Sequence, residues 1–137
     1  MANGTLVDSN VLLDILTEDT SWMGWSLSAL AEAAEAGPLF INPIIYAEVS
    51  IRFSRVEDLD DALPPRDYRR LDLPWAAAFL AGKAFVAYRR KGGSRTSTLP
   101  DFFIGAHAAI QQMGLLTRDP ARYRTYFPSV DLTTPST

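Results

Sequence analysis

Residues 4–13 have the sequence Gly4-Thr5-Leu6-Val7-Asp8-Ser9-Asn10-Val11-Leu12-Leu13. The first four of these residues predict a short buried strand that runs into Asp8. Ser9 or Asn10 can cap a helix, because apolar residues at helical spacing follow as far as Leu16. A buried strand followed at once by a helix is the repeating unit of a parallel sheet, so this stretch favours an α/β fold.

Short apolar strands and amphipathic helices alternate along the rest of the chain. Further strands are predicted at residues 39–41 and 115–117, and residues 129–132 are compatible with a last strand. Helices are predicted over residues 9–16, 22–36, 43–53, 56–63, 75–90 and 100–113, with a helical turn at 120–123. Residues 68–73 fit either an extended or an irregular segment, and residues 92–98 are expected to form a loop. We therefore predict one α/β domain over residues 1–137, a short, mostly parallel central sheet flanked by helices on both faces.

The composition narrows the class of protein. The chain has 47% hydrophobic and 21% charged residues, which is typical of one globular domain. It has no cysteine, which excludes disulfides, thiolate zinc sites and thiol nucleophiles. No apolar run approaches the roughly 20 residues that span a bilayer, and the N-terminus lacks a basic segment followed by an apolar one. We expect a cytoplasmic protein that does not enter a membrane.

The distribution of basic residues matters more than the net charge. A formal net charge of −3 argues at first against a nucleic-acid partner. The basic residues are mostly arginines, however, and they cluster at residues 66–70, 89–95 and 118–124. Arginine binds phosphate well because its planar group donates two parallel hydrogen bonds. The alternative for any one cluster is an ordinary solvated helix face.

Four acidic residues stand at positions where they can meet. Asp8 and Asp119 follow two predicted strands, and ligands of open parallel sheets bind at the carboxyl ends of the strands. Asp101 begins a predicted helix that points from the same edge. Glu48 projects from the apolar face of the helix predicted over residues 43–53, where Ile44, Ile45 and Ile51 lie three or four residues away.

Each acid also has a purely structural interpretation. Asp8 and Asp119 can each cap the helix that follows. Glu48 can lie at the edge of the apolar stripe and pair with Arg52. Asp101 can belong to an ordinary helix-start motif. The combination of all four favours a shared site over four separate structural roles.

Convergence of four carboxylates would have a chemical consequence. Their charges repel in a partly buried site, so protons or cations must relieve the repulsion. Oxygen ligands of this kind suit Mg²⁺ or Mn²⁺. One or two such ions can generate a nucleophilic hydroxide and hold a phosphate, so the inferred reaction is hydrolysis of phosphodiester bonds.

The same segments resemble a known family, the PIN domains. The likeness is carried, in order, by Thr5-Leu6-Val7-Asp8-Ser9-Asn10-Val11-Leu12-Leu13, Tyr46-Ala47-Glu48-Val49, Pro100-Asp101-Phe102-Phe103-Ile104-Gly105-Ala106-His107-Ala108 and Leu115-Leu116-Thr117-Arg118-Asp119. The ending, residues 126–135, is also similar. Four short motifs at compatible spacings cover nearly the whole chain, and its length resembles that of the toxin ribonucleases of VapBC-type toxin–antitoxin modules.

The resemblance implies a PIN-like three-layer fold and a metal-dependent endoribonuclease, the toxin of a type II module. It implies Mg²⁺ or Mn²⁺ as the cofactor, a structured RNA as the substrate, a small antitoxin as a partner, and a homodimer. The implied catalytic and metal-binding residues are Asp8, Glu48, Asp101 and Asp119. The residues implied to orient these carboxylates or a metal-bound water are Ser9, Asn10 and Thr117.

Several other residues allow two interpretations. Arg118 can contact RNA phosphate or form a salt bridge within the acidic cluster, and Arg95 can clamp RNA or belong to an ordinary linker. His107 is expected to be a packed structural residue. Trp22 and Trp25 are expected to be core or half-buried helix residues, with a groove for an antitoxin helix as the alternative.

Three rival functions remain open at the level of sequence. The nearest is a PIN nuclease of RNA processing or decay that has no antitoxin. A haloacid-dehalogenase-like phosphatase would use Asp8 as a covalent nucleophile, but it needs a second aspartate where this chain has Asn10. The third is a non-catalytic binding module in which the acids serve as helix caps or dock a basic partner.

Overall fold

The computed structural model describes residues 3–93 and 99–135. Its strands are β1 (Thr5–Val7), β2 (Leu39–Ile41), β3 (Tyr68–Arg70), β4 (Gly114–Leu116) and β5 (Leu132–Thr133). Its helices are α1 (Ser9–Leu16), α2 (Met23–Ala36), α3 (Pro43–Ser50), α4 (Val56–Ala62), α5 (Trp75–Arg90), α6 (Leu99–Gln111) and α7 (Ala121–Tyr126).

The strands in the described residues form one parallel sheet in the order β3-β2-β1-β4-β5. Strand β1 lies at the centre, where Leu6 pairs with Phe40 on one side and with Leu115 on the other. The chain builds the sheet outward from β1 in one direction and then in the other. The gap between β1 and β4 is therefore a switch point of the topology, where α/β proteins bind ligands beyond the carboxyl ends of the strands. This arrangement confirms the predicted α/β fold.

The core lies on both faces of the three inner strands. Leu6, Val7, Ile41 and Leu115 are at most 1% exposed, which explains why these strands appear in the sequence as continuous apolar runs. Burial of each such side chain stabilises the fold by about 2 kcal/mol. The largest helix contact is that of α5 with α6, where small residues on α5 allow close approach.

Several strand bounds differ from the prediction: β1 begins at Thr5 rather than Gly4, and β4 is Gly114–Leu116 rather than residues 115–117. Residues 68–70, which the sequence left undecided, form the edge strand β3 with exposed arginines, so no alternating pattern marked it. The last strand is Leu132–Thr133 rather than residues 129–132, because its partners in β4 are Leu115 and Leu116.

Helix α3 is shorter than predicted, and this corrects part of the argument about Glu48. The helix starts with Pro43 after an Asn42 cap and ends at Ser50. Ile45 is fully buried, but Ile51 is 82% exposed beyond the end of the helix. The apolar face that carries Glu48 therefore comprises Ile44 and Ile45 without Ile51.

Within residues 3–93 and 99–135, every helix is too short or too polar to span a bilayer.

Candidate active site

Asp8 is the most deeply enclosed of the four predicted acids. It follows β1 directly and is 3% exposed. Oδ1 accepts a hydrogen bond of 2.7 Å from the Ser9 backbone N–H, and Oδ2 accepts bonds of 2.9 Å from both the Thr117 and Tyr123 hydroxyls. Asp8 is thus the N-cap of α1, as its structural interpretation proposed, and it is also a carboxylate fixed in one orientation from three sides.

Glu48 lies beside Asp8, and Ser9 links the two. The Ser9 hydroxyl lies 2.8 Å from Glu48 Oε1, to which it donates, and 3.5 Å from Asp8 Oδ1. Glu48 is half-buried, whereas Arg52, its alternative partner in the sequence analysis, is exposed. Ser9 is in the first turn of α1 and Glu48 is in the second turn of α3, and the packing of these two helices brings the residues together.

Asp101 and Asp119 reach the site from α6 and from the loop after β4. Asp101 is in the first turn of α6, and its Oδ2 accepts a bond of 2.8 Å from Nη1 of Arg122. Asp119 is exposed, and its backbone N–H donates to the Thr117 hydroxyl at 3.1 Å. Asp119 does not cap α7, because that helix begins at Ala121 and its N-cap residue is Pro120.

The charges of these acids act on one another. Burial raises the pKa of Asp8, and the charge of Glu48 raises it further, against the lowering effect of the hydroxyl donors. Burial also raises the pKa of Glu48, assisted by the charge of Asp101. For Asp101, burial and then the charge of Asp8 raise the pKa to about 6, and the charge of Asp119 adds to this effect. The four acids therefore share one electrostatic environment that favours protons or cations.

The donor set matches a hard divalent cation, although the side chains do not surround one point. Carboxylate oxygens are the ligands that Mg²⁺ and Mn²⁺ prefer. Across residues 3–93 and 99–135, no group of three or more histidine, aspartate or glutamate side chains has an arrangement that could hold a metal ion. In this conformation Asp101 is instead paired with a guanidinium.

Thr117 and Asn10 connect Asp8, directly after β1, with the loop that follows β4. The Thr117 hydroxyl donates to Asp8 and lies 3.3 Å from the Asn10 amide nitrogen, from which it accepts. The Asn10 side-chain oxygen accepts from the Arg118 backbone N–H at 3.2 Å. The three polar residues predicted to support the site, Ser9, Asn10 and Thr117, all contact it or one another.

Arg118 contacts a carboxylate that the sequence analysis did not consider. Its guanidinium donates two bonds of 2.9 Å to Asp14, which is 2% exposed and also accepts from Ser26. The same guanidinium lies over the half-buried Trp22 ring, 5.1 Å from its centroid. Of the two interpretations of Arg118, the structure therefore shows a salt bridge, but its partner is Asp14 rather than one of the four acids. Arg95, the other predicted RNA contact, lies outside the described residues.

Sequence reasoning missed two residues of α7 that contact the acids. Tyr123 is 2% exposed and donates to Asp8, while Arg122 donates to Asp101. Burial raises the pKa of Tyr123, and the charges of Asp8 and Asp101 raise it further, so the hydroxyl stays a donor. The signals in the sequence were the helical turn predicted at residues 120–123 and the arginine cluster at residues 118–124. The continuation of this helix to Tyr126 determines which side chains face the sheet.

His107 is a packed residue, as predicted, and it joins α6 to α3. The side chain is fully buried, and burial lowers its pKa, so it remains neutral. Its Nδ1 lies 2.9 Å from the side-chain nitrogen of Asn42, the cap of α3, and Nε2 bonds to Gln111. These contacts indicate Nδ1 as acceptor and Nε2 as donor.

Comparison of the chain with models of known protein families identifies its family. The family model described as "PIN domain" matches residues 5–128. The chain belongs to the PIN-domain family. The match spans all four acidic residues, so the resemblance inferred from short motifs is confirmed. Among curated proteins, a sequence comparison finds no match for this PIN domain.

Solved structures similar to this chain include two VapBC proteins and a toxin–antitoxin complex. VapBC2 from Rickettsia felis, bound to a DNA fragment from its promoter, matches with a TM-score of 0.72 at 16% identity, over 96% of this chain and 98% of that one. VapBC-1 from nontypeable Haemophilus influenzae matches with 0.71 at 16% identity, over 95% and 96%. A toxin–antitoxin complex from Klebsiella pneumoniae matches with 0.64 at 21% identity, over 97% and 98%. At such identities the likeness establishes the fold.

Proposed function

We propose that this PIN domain is a metal-dependent endoribonuclease that hydrolyses RNA phosphodiester bonds at Asp8, Glu48, Asp101 and Asp119. The observation that carries the proposal is the buried, triply hydrogen-bonded Asp8 at the switch point of the sheet, within the electric field of further carboxylates. A carboxylate there is costly unless cations approach it, which is why a purely structural role is the weaker explanation.

The four acids are proposed to hold Mg²⁺ or Mn²⁺, which when bound activates water and polarises the scissile phosphate. Asp8 is already oriented by its three donors, so binding would cost little rearrangement there. Ser9 keeps Glu48 directed toward Asp8, and Thr117 fixes the strand end from which Asp119 departs. Asp101 would have to turn away from Arg122 to join the others.

We further propose that the nuclease is the toxin of a type II module, neutralised by a small antitoxin and active as a homodimer. The support is that solved structures similar to this chain in fold include VapBC proteins and a toxin–antitoxin complex. A nuclease of RNA processing or decay would use the same acidic site, so the partner has to be tested separately. Co-expression with the product of an adjacent short reading frame should suppress the ribonuclease activity if the module exists.

The catalytic proposal is tested with Asp8→Asn, which keeps the shape of the side chain and removes its charge. Cleavage of a structured RNA in the presence of Mg²⁺ or Mn²⁺ should fall by at least two orders of magnitude, since the substitution removes a proposed metal ligand. Asp58→Asn is the matched control, because Asp58 is an exposed carboxylate on α4. Cleavage at the wild-type rate by a correctly folded Asp8→Asn protein would contradict the mechanism.

Metal binding separates the enzyme from a non-catalytic module. Calorimetric titration with Mn²⁺ should show binding by the wild-type protein and much weaker binding by Asp8→Asn. If millimolar Mn²⁺ does not bind and no RNA is cleaved, the acids serve as helix caps or dock a basic partner. Circular dichroism spectra of both proteins show whether the variant has kept its fold.

A further inference from the structure

Arg122 occupies a position between three helices at the acidic site. Its Nη1 lies 2.8 Å from Asp101 Oδ2, and its guanidinium carbon lies 5.6 Å from the centroid of the Tyr88 ring. Tyr88 belongs to α5, Asp101 to α6 and Arg122 to α7. The arginine is therefore packed against an aromatic face while its charge is directed at one of the proposed metal ligands.

The ion pair of Arg122 differs from that of Arg118, although both arginines adjoin the site. Arg118 makes two bonds to Asp14, whose side chain is 3% exposed, which is the geometry of a permanent structural pair. Arg122 donates one hydrogen bond to Asp101, and the two side chains are 38% and 32% exposed. A singly bonded, partly exposed pair contributes less to stability than a buried, doubly bonded one, so the Asp101 pair can open at a lower cost than the Asp14 pair.

A free Asp101 carboxylate is what the proposed metal site lacks. The charge of Asp8 raises the pKa of Asp101, and the charge of Asp101 raises the pKa of Glu48. The three carboxylates are therefore close enough to interact electrostatically. Yet no group of three acids in the described ranges is arranged to hold an ion, and Asp101 is the one that is bound to a cationic side chain. The guanidinium thus supplies part of the positive charge that a divalent ion would bring.

We propose that Arg122 is an internal counter-ion that pairs with Asp101 in the metal-free protein and releases it when a divalent ion binds. The proposal rests on the proposed nuclease function, because it assigns Asp101 to the metal. After release, the guanidinium stays at the rim of the site on α7, where it can donate to a phosphate oxygen of the substrate. Arg122 is then a counter-ion of Asp101 in the metal-free protein and a phosphate contact for RNA once Asp101 is released.

The first test is Mn²⁺ binding without RNA. Arg122→Gln removes the competitor for Asp101, so its Mn²⁺ affinity should rise by roughly two- to fivefold, the range expected for a partly exposed pair. Arg124→Gln removes the same charge from the same helix at an exposed position whose side chain contacts Thr134. Arg124→Gln should change the Mn²⁺ affinity by less than half as much as Arg122→Gln does. Equal effects of the two variants would show only a general field effect and would overturn the proposal.

The second test observes the arginine itself. The side-chain ¹⁵N signal of Arg122, assigned by its loss in Arg122→Lys, should shift during a Mg²⁺ titration with a midpoint equal to the Mg²⁺ dissociation constant. Binding of Mg²⁺ that leaves this signal unchanged would refute the exchange. If neither the wild-type protein nor Arg122→Gln binds a divalent ion, the exchange is also refuted. RNA cleavage by the wild-type protein then tests the proposed function independently.

Discussion

Asp101→Asn should stabilise the metal-free protein at neutral pH, even though it removes one side of an ion pair. The folded protein raises the pKa of Asp101 from 3.8 to about 6, chiefly through burial and then through the charge of Asp8. A rise in pKa from 3.8 to about 6 corresponds to about 3 kcal/mol of unfavourable free energy for the ionised form, and partial solvation of the side chain lowers this to about 2 kcal/mol. Asparagine avoids this cost and can still accept a bond from Arg122.

The pH dependence follows from the direction of the shift. The folded state holds the proton of Asp101 more tightly than the unfolded chain does, so protonation stabilises the fold. This contribution is fully present below about pH 4 and is lost as the pH rises through about 6. The advantage of the asparagine variant should therefore be near zero below pH 4, grow between pH 4 and 6, and stay constant above that range.

Urea unfolding in EDTA, followed by tryptophan fluorescence, measures this difference. At pH 7.5 the midpoint for Asp101→Asn should lie about 1 M urea above that of the wild-type protein, with an unchanged slope. Asp131→Asn is the control, because Asp131 is an exposed carboxylate between α7 and β5. A variant that is less stable than wild type by the same amount at every pH would show that Arg122 fully compensates the charge. The reasoning about crowded carboxylates would then be wrong.

Three further predictions concern a hydroxyl donor to Asp8 and two glycines in helices. Tyr123→Phe removes a hydroxyl donor to a buried carboxylate and should lower the free energy of unfolding by about 1–3 kcal/mol at pH 7.5 in urea experiments. The pKa of Asp8 should rise in an NMR titration, and an unchanged titration would contradict this role of Tyr123. Gly105→Ala would place a Cβ 2.4 Å from the Phe127 ring and should cost about 1–3 kcal/mol. Gly82→Ala, where a Cβ meets nothing within 4 Å, should leave the thermal midpoint unchanged or raise it.

The sequence predicted the central part of the fold well because the relevant signals are local. Strands β1, β2 and β4 are buried on both faces, and such strands appear as short apolar runs. The position of Asp8 at the end of a strand and the start of a helix also follows from neighbouring residues alone. Strand β3 was undecided because an exposed edge strand has no pattern of this kind.

The contacts that orient the acids were less predictable, because they join distant parts of the chain. Tyr123 and Asp8 are 115 residues apart, and Arg118 and Asp14 are 104 residues apart. No spacing rule connects such pairs, and the cluster of arginines at residues 118–124 gave no indication of which carboxylate each one meets. Arg122 was therefore grouped with its neighbours, although it is the one that contacts Asp101.

What the sequence alone determined is the alternation of buried strands with helices, and the placement of acidic residues where strands end and helices begin. Only the tertiary structure decided which side chains donate hydrogen bonds to each carboxylate. Ser9 donates to Glu48, Thr117 and Tyr123 donate to Asp8, and Arg122 donates to Asp101. The physical reason is that secondary structure depends on residues a few positions apart. Hydrogen bonding and Coulomb interaction depend instead on distance in space, which only the folded chain defines.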